Sequence, residues 1–127
     1  LLSGKYTRDE QVAGARWQDG KDNANRRATE ATWEVLDFLR AMANDKGCSM
    51  SQLGLAWNMA QPGVTAPIIG PRTLEQVEDN LRAVDVEMTK EDLSRIDELV
   101  PPKGYVVRYY DEANAIDFRP HQWRSIV

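Results

Sequence analysis

Few side chains in this sequence are of a type and spacing that could do chemistry. His121 is the single histidine; it follows Pro120, with no serine, cysteine or carboxylate at a distance that suggests a triad. Its spacing favours a surface or packing residue over a general base. Cys48, the single cysteine, follows the helix-stopping Gly47 and precedes the helix-capping Ser49, a context that favours a buried or incidental thiol over a nucleophile. One histidine and one cysteine far apart satisfy no metal-ligand pattern. Glu75, Glu78 and Asp79 share a short helical stretch and read as dipole-complementing or surface groups rather than an acid/base pair.

What remains is the stretch from Thr65 to Asn80, Thr-Ala-Pro-Ile-Ile-Gly-Pro-Arg-Thr-Leu-Glu-Gln-Val-Glu-Asp-Asn. It reads as a short buried strand, a tight turn at Gly70, an arginine and a capped helix, an arrangement that presents backbone N–H groups to an anion. Thr73 is placed as N-cap, and Gln76 is placed to reach back to the Thr73 N–H in a capping box. Arg72 and the positive end of the helix would then face one small volume beside Gly70, where a phosphate is stabilised. An ordinary strand-to-helix connection with a solvated arginine has the same spacing. Either way the chemistry implied is binding, not turnover.

The elements that must position this stretch follow from periodicity. Leu1 to Tyr6 reads as a strand end and turn, and residues 7 to 27 as a long mobile surface loop. From Ala28 to Lys46, Thr32, Val35, Leu36, Leu39, Met42 and Ala43 recur at helical spacing, with Gly47 as the stop. Ser49 and Gln52 form a capping box for a helix from Met50 to Gln61 that buries Leu53, Ala56, Trp57 and Ala60 and ends at Pro62-Gly63. Val64 to Ile69 is the one clear strand, apolar enough to be buried on both faces as in a parallel sheet.

A helix from Leu74 to Ala83 follows, with Leu74, Val77, Leu81 and then Val84 inward. Thr89 caps the last helix, Lys90 to Leu99, with Leu93, Ile96 and Leu99 inward, and Pro101-Pro102 ends it. The tail, Lys103 to Val127, holds Tyr105, Tyr109, Tyr110, Phe118, His121 and Trp123 without a regular period. It is expected to be an extended, partly ordered segment packed on a neighbouring surface. A lone strand needs partners on both edges, and these must come from elsewhere.

Composition bounds the rest. Of the 127 residues, 42% are hydrophobic and 28% charged, an ordinary globular balance, and the net charge of -4 without a basic stripe argues against nucleic acid. The acidic neighbours Asp111, Glu112 and Asp117 argue likewise against base stacking by the tail. A single cysteine fits a reducing compartment, and no apolar run reaches membrane-spanning length, so a cytoplasmic protein is expected. The opening Leu1-Leu2-Ser3-Gly4-Lys5-Tyr6 reads like the interior of a longer or processed polypeptide.

Three ordered motifs carry a family resemblance: Leu1 to Tyr6, then Ser-x-x-Gln-Leu-x-Leu-Ala-Trp at Ser49 to Trp57, then Pro-Ile-Ile-Gly-x-Arg-Thr-x-Glu-Gln-x-x-x-Asn at Pro67 to Asn80. In this order they resemble the aldo-keto reductases. The resemblance covers residues 1 to about 100 and leaves 101–127 as a C-terminal tail. It implies an α/β fold, the C-terminal part of a (β/α)8 TIM barrel, helix-rich with one clear strand at 64–69 and incomplete as a stand-alone barrel. By resemblance, 64–69 would be the eighth strand, 74–83 the eighth helix and 90–99 an extra helix after the barrel.

The resemblance further implies an NADP(H) site. Leu2, Ser3, Gly4 and Lys5 would lie along the cofactor pyrophosphate; Ile69, Gly70 and Arg72 would surround the 2′-phosphate, with Arg72 as its charge; Gln76, Asp79 and Asn80 would hold the adenosine end. Where some members carry a lysine this chain has Gly70, so the grip would rest mainly on Arg72. The family's catalytic Asp, Tyr, Lys and His belong to earlier segments, and Lys5 and Tyr6 are not their counterparts, so no catalytic residue is assigned here. The expected function is the NADP(H)-binding part of a reductase that interconverts carbonyls and alcohols, inactive by itself. Its expected partners are a small carbonyl substrate in the complete enzyme, and the missing N-terminal barrel segment or a second copy. The alternative is a non-catalytic cofactor-binding or interaction module, truncated or of the channel-subunit type.

Overall fold

The computed structural model describes residues 29–102 together with Ser3, Gly4, Tyr6, Arg8, Gly104 and Val106. The surface-loop expectation for 7 to 27 falls, but for Arg8, outside the described residues, as does the reading of the tail beyond Val106. Four α-helices run in order: α1 (Glu30–Asp45), α2 (Met50–Met59), α3 (Leu74–Leu81) and α4 (Lys90–Leu99), with a 3-10 turn (Arg82–Asp85) extending α3.

Each helix begins where a side chain can take over a free backbone donor. Thr29 is extended and its Oγ1 accepts from the Thr32 N–H at 3.2 Å, starting α1. The other end of α1 is closed by Gly47 at φ +65, a left-handed conformation that a glycine adopts without a Cβ clash. It lets the Cys48 N–H reach the Ala43 carbonyl and the Gly47 N–H reach the Asn44 carbonyl, both at 3.0 Å. That pair of bonds is a Schellman motif, and it satisfies carbonyls that a helix end leaves open. Ser49 then caps α2 at once with the expected reciprocal box, Gln52 N–H to Ser49 Oγ at 3.1 Å and Ser49 N–H to Gln52 Oε1 at 3.2 Å. Thr89 and Asp92 make a second such box at α4.

The core lies where α1, α2 and α4 meet. Met42, Ala43, Leu53 and Ile96 are buried there, surrounded by Phe38, Leu39, Cys48, Met50, Trp57 and Met88. Arg95 of α4 lays its guanidinium over the Phe38 ring of α1, 5.2 Å from the centroid, inside the range of a cation–π contact. Lys46, just past α1, donates to the Glu87 carbonyl at 2.9 Å and pairs with Asp92 at 2.6 Å. The α1 stop is thereby fastened to the α4 start. Arg8 pairs with Glu30 and Asp37 on the outer face of α1, and its hydrogen bond with Glu30 raises its pKa further.

Three expectations change, the smallest at Leu99 of α4, expected inward but 37% exposed. The apolar run at 64–69 is not a strand: no strand occurs among the described residues, and Val64 to Gly70 has no regular secondary structure, with Ile68 101% exposed. A strand is defined by its ladder, and the described residues offer no second strand to pair with. The third change is in α3, where Leu74, Leu81 and Val84 were expected inside but are 73%, 60% and 72% exposed. Only Val77 of that set is half-buried, while Ala83 in the 3-10 turn packs inward at 2%. Periodicity identifies a face, not what lies against it, and the described chain leaves most of this one uncovered.

Smaller shifts are at element ends. α1 starts at Glu30 rather than Ala28, α2 stops at Met59 rather than Gln61, and α3 tightens to 3-10 geometry after Leu81. Within α2, Leu53 and Ala56 are buried as expected, whereas Trp57 and Ala60 are half-buried.

Candidate functional site

The stretch singled out for anion binding keeps its helix start and loses its turn. Gly70 has no left-handed backbone, and a Cβ placed on it would meet nothing within 4 Å. The glycine leaves room beside the backbone instead of making a left-handed turn. Thr73 is extended at φ -130, and its Oγ1 accepts from the Gln76 N–H at 3.3 Å. Gln76 does reach back, but one residue further than a capping box requires: its Oε1 accepts from the Arg72 N–H at 2.8 Å. One backbone donor is thereby withdrawn from any anion, and the Arg72 main chain is pinned to the first turn of α3.

The Arg72 side chain is exposed, and none of the ion pairs among the described residues involves it. A planar guanidinium with five donors and the start of a helix, beside an exposed Ile69 and the open space at Gly70, form a donor set of the kind that binds phosphate. Asn80, half-buried on α3, has no side-chain hydrogen bond among the described residues.

Asp79 is differently placed. Its Oδ1 accepts from Gln52 Nε2 at 2.7 Å and its Oδ2 from Ser49 Oγ at 3.0 Å. The same Gln52 nitrogen also donates to the Asp79 carbonyl at 3.1 Å. The carboxylate faces the first turn of α2 and is half-buried there. Gln52, only 8% exposed, and Ser49 support this site and were not assigned to it from the sequence. Their capping box is readable at three-residue spacing; their reach to Asp79, 30 positions after Ser49 and 27 after Gln52, is not.

Of the segment expected along a pyrophosphate, Leu2 and Lys5 lie outside the described residues. Ser3 is exposed, and Gly4 is half-buried with φ +72. Gly4 lies against the start of α2, where an added Cβ would stand 3.3 Å from both Cβ and Cγ of Met50. The first turn of α2 therefore touches the Gly4 backbone on one side and Asp79 of α3 on another.

Cys48 sits half-buried at the core edge, and burial pushes its thiol pKa up, with Asp79 adding to the effect and Lys46 opposing it. Such a thiol is a poor nucleophile at neutral pH. His121 lies outside the described residues. No group of three or more His, Cys, Asp or Glu is placed to hold a metal among the described residues, nor is any helix there long and apolar enough to cross a membrane.

Comparison with known proteins bears on this geometry. Residues 1–101 match the Aldo/keto reductase family, whose members typically depend on NAD(P)H. The chain is similar to the uncharacterized oxidoreductase YrpG of Bacillus subtilis, 38% identical over 69 residues, covering 54% of this chain and 21% of that protein. A probable voltage-gated potassium channel subunit beta of Oryza sativa is 31% identical over 107 residues, covering 81% of this chain and 33% of the other. L-glyceraldehyde 3-phosphate reductase of Escherichia coli is 30% identical over 102 residues, covering 77% and 30%. The matched part thus spans between about a fifth and a third of these relatives. With the family match running through the Gly4 segment, both capping boxes and the Arg72 helix, the chain belongs to the aldo/keto reductase family.

Proposed function

We propose that this chain is the C-terminal, NADP(H)-binding part of an aldo-keto reductase, holding the adenosine-phosphate end of the cofactor of an enzyme that reversibly reduces an aldehyde or ketone. Arg72 is the observation that carries this reading: an exposed guanidinium without an ion-pair partner among the described residues, on a main chain fixed by Gln76, beside the open space at Gly70. Arg72 pairs with the 2′-phosphate, which a guanidinium grips through parallel N–H bonds. Ile69 and Gly70 border that phosphate, and Gln76 and Asn80 belong to the adenosine end, with Asp79 on the same helix turned to α2. Leu2, Ser3, Gly4 and Lys5 follow the pyrophosphate. The cofactor supplies the hydride; the residues of this chain bind and orient it. The tyrosine acid and its partners come from polypeptide outside this sequence, so the chain alone does not turn over carbonyls. The exposed Ile68, Leu74, Leu81 and Val84 are the face such a segment, or a second copy, would cover.

The similarity to the rice channel subunit beta favours one second reading, a cofactor-binding module without turnover. Both readings share the site and differ in whether the complete protein reduces a carbonyl. Titration of NADPH and NADH, followed by tryptophan fluorescence and melting temperature, tests the shared part. Charge-assisted bonds to a phosphate are worth about 1.5–3 kcal/mol, so Arg72→Ala is expected to weaken NADPH by roughly 10- to 150-fold and leave NADH nearly unchanged. No response to millimolar NADPH, or an equal loss for both nucleotides, would overturn the assignment.

A further inference from the structure

Asp79 carries bonds that contact with a nucleotide does not call for. Both carboxylate oxygens accept from α2, Oδ1 from Gln52 Nε2 at 2.7 Å and Oδ2 from Ser49 Oγ at 3.0 Å, and its carbonyl takes a further bond from Gln52 at 3.1 Å. The two donors are themselves held by the α2 capping box, Gln52 N–H to Ser49 Oγ at 3.1 Å and Ser49 N–H to Gln52 Oε1 at 3.2 Å. Neither can swing away without opening the start of its own helix. Met50, in that same turn, is the neighbour an added Cβ on Gly4 would crowd, 3.3 Å from both its Cβ and its Cγ.

One helix start thus touches both segments assigned to the cofactor, the Ser3-Gly4 loop and α3. We infer that Ser49, Gln52 and Asp79 form a positioning device that sets the spacing between the pyrophosphate loop and the adenosine helix, and that Asp79 is a positioning residue, not a nucleotide ligand. This rests on the cofactor reading above. Its physical consequence is selective: a ligand that bridges the loop and the helix depends on their spacing, whereas one that occupies the helix alone does not. Side chains held by such a supporting network keep their geometry before the ligand arrives, and preorganisation of this kind shows up as affinity.

The comparison is between NADPH, which spans both segments, and adenosine 2′-monophosphate, which reaches only the helix. Dissociation constants are measured calorimetrically, below the melting temperature of every variant as judged by circular dichroism. Gln52→Leu and Ser49→Ala are expected to weaken NADPH by roughly tenfold and to leave adenosine 2′-monophosphate within about twofold. Ser49→Thr keeps the hydroxyl and is expected to keep both affinities. If Gln52→Leu fails to fold, Ser49→Ala carries the same comparison. Equal weakening of both ligands would make the network general support of the fold and overturn the spacing role. Should Asp79→Ala weaken adenosine 2′-monophosphate as much as NADPH while Ser49→Ala and Gln52→Leu change neither, Asp79 is a ligand. If the unaltered protein binds neither nucleotide, the cofactor reading itself fails and the inference with it.

Discussion

Replacing Asp92 with asparagine removes the charge that fastens α4 to the end of α1. Three donors converge on its Oδ2: Lys46 Nζ at 2.6 Å, Thr89 Oγ1 at 2.7 Å and the Thr89 N–H at 2.9 Å. The Lys46 and Asp92 side chains are 20% and 13% exposed, so solvent screens this pair less than a surface ion pair. Burial by itself pushes the Asp92 carboxyl pKa up, but the hydrogen bonds from Lys46 and Thr89 and the Lys46 charge outweigh it and hold the pKa below the ordinary value. An asparagine keeps the shape and one acceptor and loses the charge assistance. Hydrogen bonds to a charged group are worth about 1.5–3 kcal/mol, and a net loss of about 2 kcal/mol is expected at neutral pH.

Urea unfolding followed by far-ultraviolet circular dichroism reads this loss. With a slope of about 1–3 kcal/mol per molar, the midpoint falls by roughly 0.7–2 M. Because the folded-state pKa is depressed, the contribution is present above the unfolded carboxylate pKa of about 3.9 and is lost as the pH falls through the folded value. The gap between the two proteins should therefore close in acid, below about pH 4. Lys46→Met should lower the neutral-pH midpoint too, and the double variant should lose less than the sum of the two, since they share one interaction. An Asp92→Asn midpoint equal to that of the parent at pH 7, or a gap that persists unchanged to pH 2, would refute the reasoning.

Two further outcomes follow from local geometry. Gly47→Ala puts a Cβ into open space but onto a backbone at φ +65, so its cost is conformational alone, about 1–2 kcal/mol in the same urea assay; an unchanged midpoint would show that the left-handed turn is not needed. The Cys48 thiol, raised by burial, should react with iodoacetamide at pH 7.5 well below the rate of the urea-unfolded chain, as followed by intact mass, and labelling as fast as in urea would contradict its burial at the core edge.

Local chemistry was legible where its partners are close in sequence. The Ser49-Gln52 box, the Gly47 stop and the Thr89 cap sit at fixed short spacings and occur where the residue types place them. Thr29 has the same chemistry, yet the periodic pattern extends back to Ala28, one residue before the cap that the structure shows. Gln76 was legible as a residue that reaches back, but its flexible side chain selects Arg72 over Thr73, a choice that spacing does not make. What escaped was anything decided by distant partners. The Asp79 bonds to α2 and the Lys46 bridge to Asp92 join residues far apart in sequence. Equally, the apolar rows of 64–69 and α3 are real as patterns, but burial depends on a second surface that the described residues do not provide. The family resemblance reached further than either, since the order of three motifs carries information that no single helix does.

The connector between α1 and α2 is only Lys46, Gly47, Cys48 and Ser49, and each has a different duty. Lys46 reaches across to Glu87 and Asp92, Gly47 supplies the reversal, Cys48 closes its N–H onto Ala43 while its side chain meets the core, and Ser49 both caps α2 and holds Asp79. An inserted or deleted residue here would separate a helix stop from the next helix start and pull two tertiary bonds out of reach together. Sequence drift in descendants of this chain should therefore almost never change the length of this connector.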